Sequence, residues 1–194
     1  MNKPNNFDAT PSGDFIPVAV GGHYAVIKQV EEREDKNGDP MIVVYIDFDK
    51  TDSQPEYFAE SFRADVRPDK KWSNAATNYI TSERDGVCTR NFKKFIKSYT
   101  DSNGLKEDAV SWGSDFCNQF KNKKIGVVFG RVEETYNGET KMRTKIRWFC
   151  DYNKVADQKV PEDKYENGST SAASSSSSTN SFLNVSSDEE LPFK

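Results

Sequence analysis

Four basic side chains recur at every second position late in the chain: Lys141, Arg143, Lys145 and Arg147. Successive side chains of a β-strand point to opposite faces, so an extended run places all four on one side. They follow Asn137-Gly138, a pair suited to the type I′ turn of a two-residue hairpin, which predicts that Tyr136 faces Glu139. That register pairs Phe129 with Ile146, Val127 with Trp148 and Ile125 with Cys150 on a dry face. It sets Glu134, Val132, Gly130 and Val128 opposite the cations, which leaves room and little neutralising charge. Such a row suits a polyanion tracking over a sheet; a solvated outer face is the plainer use of the same pattern.

A single-stranded nucleic acid needs cations along its phosphate path and flat side chains for its bases, each stacked base contributing about 1–3 kcal/mol. Lys28 extends the set of cations, and Tyr45, Tyr57, Trp72 and Tyr136 are the candidate rings, with Arg63 on the same strand face as Tyr57. Trp72 ends the basic loop Arg67-Pro68-Asp69-Lys70-Lys71 and serves equally well as a lid on the core.

The rest of the composition narrows the classes. His23 is the only histidine, which removes His-containing triads and most zinc sites, and no GxGxxG or P-loop sequence occurs. No catalytic set, metal site or cofactor is expected. Cys88, Cys117 and Cys150 are odd in number and lack a CxxC pair, so they read as reduced cytoplasmic thiols. The longest strongly apolar run, 41–46, is far too short to span a bilayer, so no membrane association is expected. The net charge of −4 lies entirely after Val160, where six acids face two lysines; the preceding residues carry 25 bases and 25 acids.

The elements that position these residues follow from periodicity. A first hairpin, turning at Asn37-Gly38, pairs Ile27 with Phe48 and Lys28 with Asp47; Ile27, Ile42, Val44, Ile46 and Phe48 form a core face, and Lys28, Val30, Val43 and Tyr45 the other. The aromatics Tyr57, Phe58 and Phe62 predict a third strand over 56–63. Phe92, Phe95, Ile96 and Tyr99 fall at helical spacing over 89–99, and 115–120 adds a short turn. Three strands, a helix and two strands make a mainly β layout, that of the five-stranded OB-fold barrel with its helix between strands three and four. The ligand face of that fold is bordered here by loops carrying Lys36 and Asn37, and Tyr136 and Asn137. The domain plan is a flexible arm over 1–17, the barrel over 18–160, a disordered Ser-rich linker over 161–185 and an acidic tip over 186–194.

The barrel layout, the Ser-rich linker and the tip Asp188-Glu189-Glu190-Leu191-Pro192-Phe193 together resemble bacterial and bacteriophage single-stranded DNA-binding proteins, and the hairpin followed by VADQKVPE looks like the phage-encoded branch. The resemblance implies binding and protection of single-stranded DNA without strong sequence preference, in phage replication, recombination or repair within a host bacterial cytoplasm. It implies that Asp188, Glu189, Glu190, Leu191, Pro192 and Phe193 recruit replication and recombination proteins. Lys194 follows Phe193, which displaces the terminal carboxylate by one residue relative to the family tip. Self-association and RNA binding stay open. Two other classes stay open as well: an OB-like adaptor without DNA affinity, and a Mg²⁺-dependent nuclease built around Asp47 and Asp49.

Overall fold

The computed structural model describes residues 16–166. The Ser-rich tract, the tip residues Asp188 to Phe193 and most of the N-terminal arm (1–15) lie outside the described residues.

The first hairpin joins β1 (Gly21–Glu34) to β2 (Pro40–Phe48). Its turn is organised by Asp35, whose Oδ1 accepts from the N–H groups of Asn37 (2.7 Å) and Asp39 (3.1 Å), with Gly38 at φ 82°. The loop is therefore longer than the expected two residues, and Glu34 faces Pro40. A bulge at Lys28 shifts the register again, so that Ile27 faces Ile46 and Ala25 faces Phe48, not the expected Ile27–Phe48 and Lys28–Asp47 pairs. The bulge also moves Val30 onto the core face with Ile27, Ile42, Val44, Ile46 and Phe48.

The stretch 56–63 is not a strand. It forms α1 (Tyr57–Ala64), because Phe58 and Phe62 at i, i+4 serve a helix face as well as they serve alternation, and because a buried cap awaits them. Asp47 Oδ1 accepts from the N–H groups of Phe58 (3.0 Å) and Ala59 (3.3 Å) at the helix start, where Glu56 offers no side-chain cap. The third strand of the sheet is instead β3 (Thr77–Thr81), which follows a 3-10 turn at Asn74–Ala76 and pairs with β2 from Tyr45–Thr77 to Met41–Thr81.

A two-residue hairpin, β4 (Glu83–Arg84) and β5 (Val87–Cys88), leads into α2 (Arg90–Ser102). Thr89 caps α2 by accepting from Phe92 N, and Phe92, Phe95 and Tyr99 turn inward as their spacing predicts. After a 3-10 turn at Asn118–Phe120 come β6 (Lys124–Tyr136) and β7 (Glu139–Cys150). Their turn has φ 52° at Asn137 and 79° at Gly138, as a type I′ turn requires, and both Tyr136–Glu139 and Phe129–Ile146 face each other as expected. A bulge at Arg147 then resets the far end to Val128–Trp148, Val127–Phe149 and Gly126–Cys150. Phe149, not Trp148, consequently enters the core, with its ring 5.3 Å from that of Phe95.

The result is one five-stranded antiparallel sheet in the order β3-β2-β1-β6-β7, mainly β in content, with α2 packed on its inner face. The edge strands β3 and β7 do not pair with each other, so the sheet is open along that seam. Aromatic rings fill the interior: Phe48, Phe58, Phe95, Phe120 and Phe129 are at most 2% exposed. His23 stacks on Phe48 at 4.3 Å, and its two ring nitrogens each stand 3.0 Å from an acceptor, Asp52 Oδ1 and Ala19 O.

Residues 161–166, whose composition reads as the start of the linker, run along the free edge of β6. Glu133 N donates to Lys164 O (2.7 Å), Lys164 N donates to Arg131 O (3.0 Å), and Arg131 pairs with Asp163 at 2.8 Å. Among the described residues no helix is long and apolar enough to cross a membrane.

Candidate nucleic-acid interface

The β6–β7 hairpin projects past the end of β1, which pairs with β6 only as far as Phe129. Lys141, Arg143 and Lys145 share its outer face, opposite Glu134, Val132 and Gly130 respectively. Arg147, the bulge residue, lies over Gly130, where a Cβ would come within 2.9 Å of Arg147 Cγ and 2.5 Å of Pro161 Cγ. Only glycine fits beneath that crossing.

The cations are less free than their spacing suggests. Lys145 bonds the carboxylate of Glu134, Arg143 Nε stands 3.7 Å from it, and Lys141 pairs with Glu139 at 2.5 Å. Arg147 Nη1 donates to Glu162 O (3.0 Å) and Arg131 O (3.4 Å), so its charge is turned to the backbone. Three of the four row members are thus paired with carboxylates and the fourth acts as a clamp. Partly exposed pairs of this kind contribute about 0–1 kcal/mol, so an incoming phosphate can displace them at small cost.

Between this hairpin, α1 and the Asn74–Ala76 turn runs an open groove of about 830 Å³. It brings together four of the residues singled out by sequence: Tyr57, Tyr136, Arg143 and Lys145. Tyr136, at the hairpin tip, is 72% exposed. Tyr57 is half-buried and fixed, its hydroxyl donating to Ile16 O (2.8 Å) and its ring edge-on to Phe58 at 5.1 Å; burial pushes its phenol above the ordinary value. Ser61, Ser73 and Asn74 add polar groups to the wall. Beyond turn-forming composition, nothing in the sequence marks these three. Glu134 also lines the groove, although the hairpin register, which puts it two pairs from Lys145 on one face, could have marked it as a counter-ion.

The remaining expected residues lie elsewhere. Trp72 is a lid: its indole N–H donates to Ile46 O (3.0 Å), beyond the last β2–β3 pair, and its ring rests on Phe62 at 5.5 Å. Tyr45 sits on the outer face of β2, where its hydroxyl donates to Glu31 and accepts from Arg33, both at 3.2 Å; burial and the Glu31 charge raise its phenol. Tyr79, 56% exposed, belongs to the same outer face and was not anticipated. Lys28 is exposed on the β1 bulge, and Arg63 is exposed on α1, 3.9 Å from Glu56.

Asp47, weighed above as a metal ligand, spends its carboxylate on the backbone N–H groups of Phe48, Phe58 and Ala59; burial nevertheless holds it above its ordinary value. Among the described residues no group of three or more His, Cys, Asp or Glu side chains gathers as metal ligands would. Burial pushes the Cys150 thiol up to about 12, helped by Asp151, which leaves this half-buried group protonated and unreactive. No protein-family model and no curated protein matches this chain.

Proposed function

We propose that the chain binds single-stranded DNA through the groove between α1 and the β6–β7 hairpin, as a phage or prophage single-stranded DNA-binding protein of the OB type. Bases stack on Tyr57 and Tyr136, and phosphates replace the Glu134 carboxylate at Arg143 and Lys145. The observation that carries this reading is the convergence in one groove of two tyrosines and two cations from distant parts of the chain. The strand order β3-β2-β1-β6-β7, with α2 between β3 and β6, supports the OB reading, since it is the order of that barrel laid open at its closing seam. Binding by stacking and phosphate contact is tolerant of sequence. The acidic tip that follows the Ser-rich tract then serves partner proteins of replication and recombination.

The test is titration of fluorescent oligo-dT, duplex DNA and RNA with the full chain across a salt series. Single-stranded DNA is expected to bind tightest. With Lys141, Arg143 and Lys145 as the phosphate contacts, log K falls against log salt with a slope of about −2, at about −0.7 per contact. A flat salt response rejects the reading in favour of an adaptor without DNA affinity, and binding unchanged by Arg143→Ala with Lys145→Ala rejects the groove as the DNA site.

A further inference from the structure

Near the opposite end of β2, a second cleft of about 730 Å³ opens among the first hairpin, the β4–β5 hairpin and the start of α2. Met41, Phe92 and Phe116 line it, and Trp112 stacks on Phe116 (5.2 Å, 12° between planes) while staying 64% exposed. Its rim carries Glu32, Glu34 and Glu83, all exposed and, among the described residues, in no salt bridge. The rim cation, Arg33, is bound to Glu31 at 2.5 Å. An exposed indole over an aromatic floor, ringed by uncompensated carboxylates, matches an occupant that brings an apolar side chain flanked by positive charge.

The chain carries such a segment. In the loop after α1, Val66 is 94% exposed and is followed by Arg67, Pro68, Asp69, Lys70 and Lys71. Arg67 and Asp65 neutralise each other at 2.6 Å, so Lys70 and Lys71 outweigh Asp69. Trp72 pins the end of this loop at Ile46, whereas the cleft takes in Met41 and Ile42. Five residues of strand, roughly 17 Å, separate Met41 from Ile46. Val66 stands open to solvent and no residue of 65–71 lines the cleft, so the loop is not seated in the cleft of its own chain.

We propose that the Val66–Lys71 loop of one copy docks in the Glu-rimmed cleft of the next, with Val66 against Trp112 and the lysines facing Glu32, Glu34 and Glu83. The two surfaces differ, so the contact is heterologous and adds copies in a row instead of closing a pair. It buries one short loop, so it is weak in free solution and depends on low salt.

Sedimentation velocity of the full chain over a concentration series, without DNA, tests this independently of the groove. At low salt the average mass is expected to rise at least about twofold at the top of the series, as open-ended growth requires. Two variants that keep the wild-type melting temperature decide the geometry. Val66→Asn with Lys71→Gln disables the loop, and Glu32→Lys with Glu83→Lys disables the cleft; each alone stays monomeric. Mixed in equal amounts they retain one intact loop and one intact cleft, and stop at the 1:1 dimer. A monomeric wild type, growth that survives in either variant, or a mixture that stays monomeric overturns the proposal.

Discussion

Glu134 reaches diagonally across the β6–β7 hairpin to the ammonium of Lys145 and stands 3.7 Å from the guanidinium of Arg143. A carboxylate thus occupies the place a phosphate takes in the proposed complex. Glu134→Gln is expected to raise affinity for oligo-dT by about three- to fivefold, the worth of a surface ion pair of up to about 1 kcal/mol. Titration at several salt concentrations checks this; an unchanged affinity removes Glu134 from the chemistry of the groove.

The rings separate stacking from packing. Tyr136→Ala is expected to cost about 1–3 kcal/mol of binding to oligo-dT and nothing measurable in thermal stability, since that ring is exposed. Tyr57→Phe keeps the stacking surface and loses only the bond to Ile16 O, so affinity holds. Trp72→Phe behaves in the reverse way: binding persists, while stability falls by about 1–3 kcal/mol as the Ile46 carbonyl loses its donor. Paired binding isotherms and melting curves distinguish the three.

These residues also show what could be read from sequence. Asn137-Gly138 fixed its hairpin because only that turn suits both positive φ values, and the register outward to Phe129–Ile146 followed. The helix over Arg90–Ser102 followed from its apolar spacing. The bulges at Lys28 and Arg147 did not, because an extra residue leaves alternation locally intact and is set by tertiary contacts. Nor did α1, whose cap comes from Asp47, ten residues upstream of Tyr57. Placing 56–63 in a strand put Tyr57 on the sheet with Arg63, whereas the helix carries it to the hairpin and so makes the groove.

Residues 161–166 belong to the body by their bonds to β6. A chain ending at Glu166 is expected to bind oligo-dT as the full chain does. A chain ending at Val160 loses the two backbone bonds between Lys164 and β6 and the Glu162 acceptor of Arg147, and is expected to unfold more easily by about 1–3 kcal/mol. Urea unfolding of the two truncations makes the comparison; equal midpoints contradict it.

Acid unfolding reports on two buried carboxyls with opposite signs. Burial pushes Asp52 up, but bonds from His23 and from the N–H groups of Gln54 and Tyr24 outweigh it and leave the group below its ordinary value of 3.8. Its ionised form therefore stabilises the fold above that value, and this stability is lost as pH falls through the depressed folded value. Asp52→Asn is expected to flatten the acid limb of a stability-against-pH curve. Asp47, held above its ordinary value by burial, gains stability as it protonates on descending pH, so Asp47→Asn steepens that limb.

The docking of 161–166 on β6 has a mechanical side. Any partner that holds the tail and pulls loads first the short ladder at Lys164, not the long β6–β7 ladder behind it. Those few bonds act as a fuse: they yield before the hairpin parts, and when they go the guanidinium of Arg147 loses its anchor at Glu162 while Lys145 stays in place.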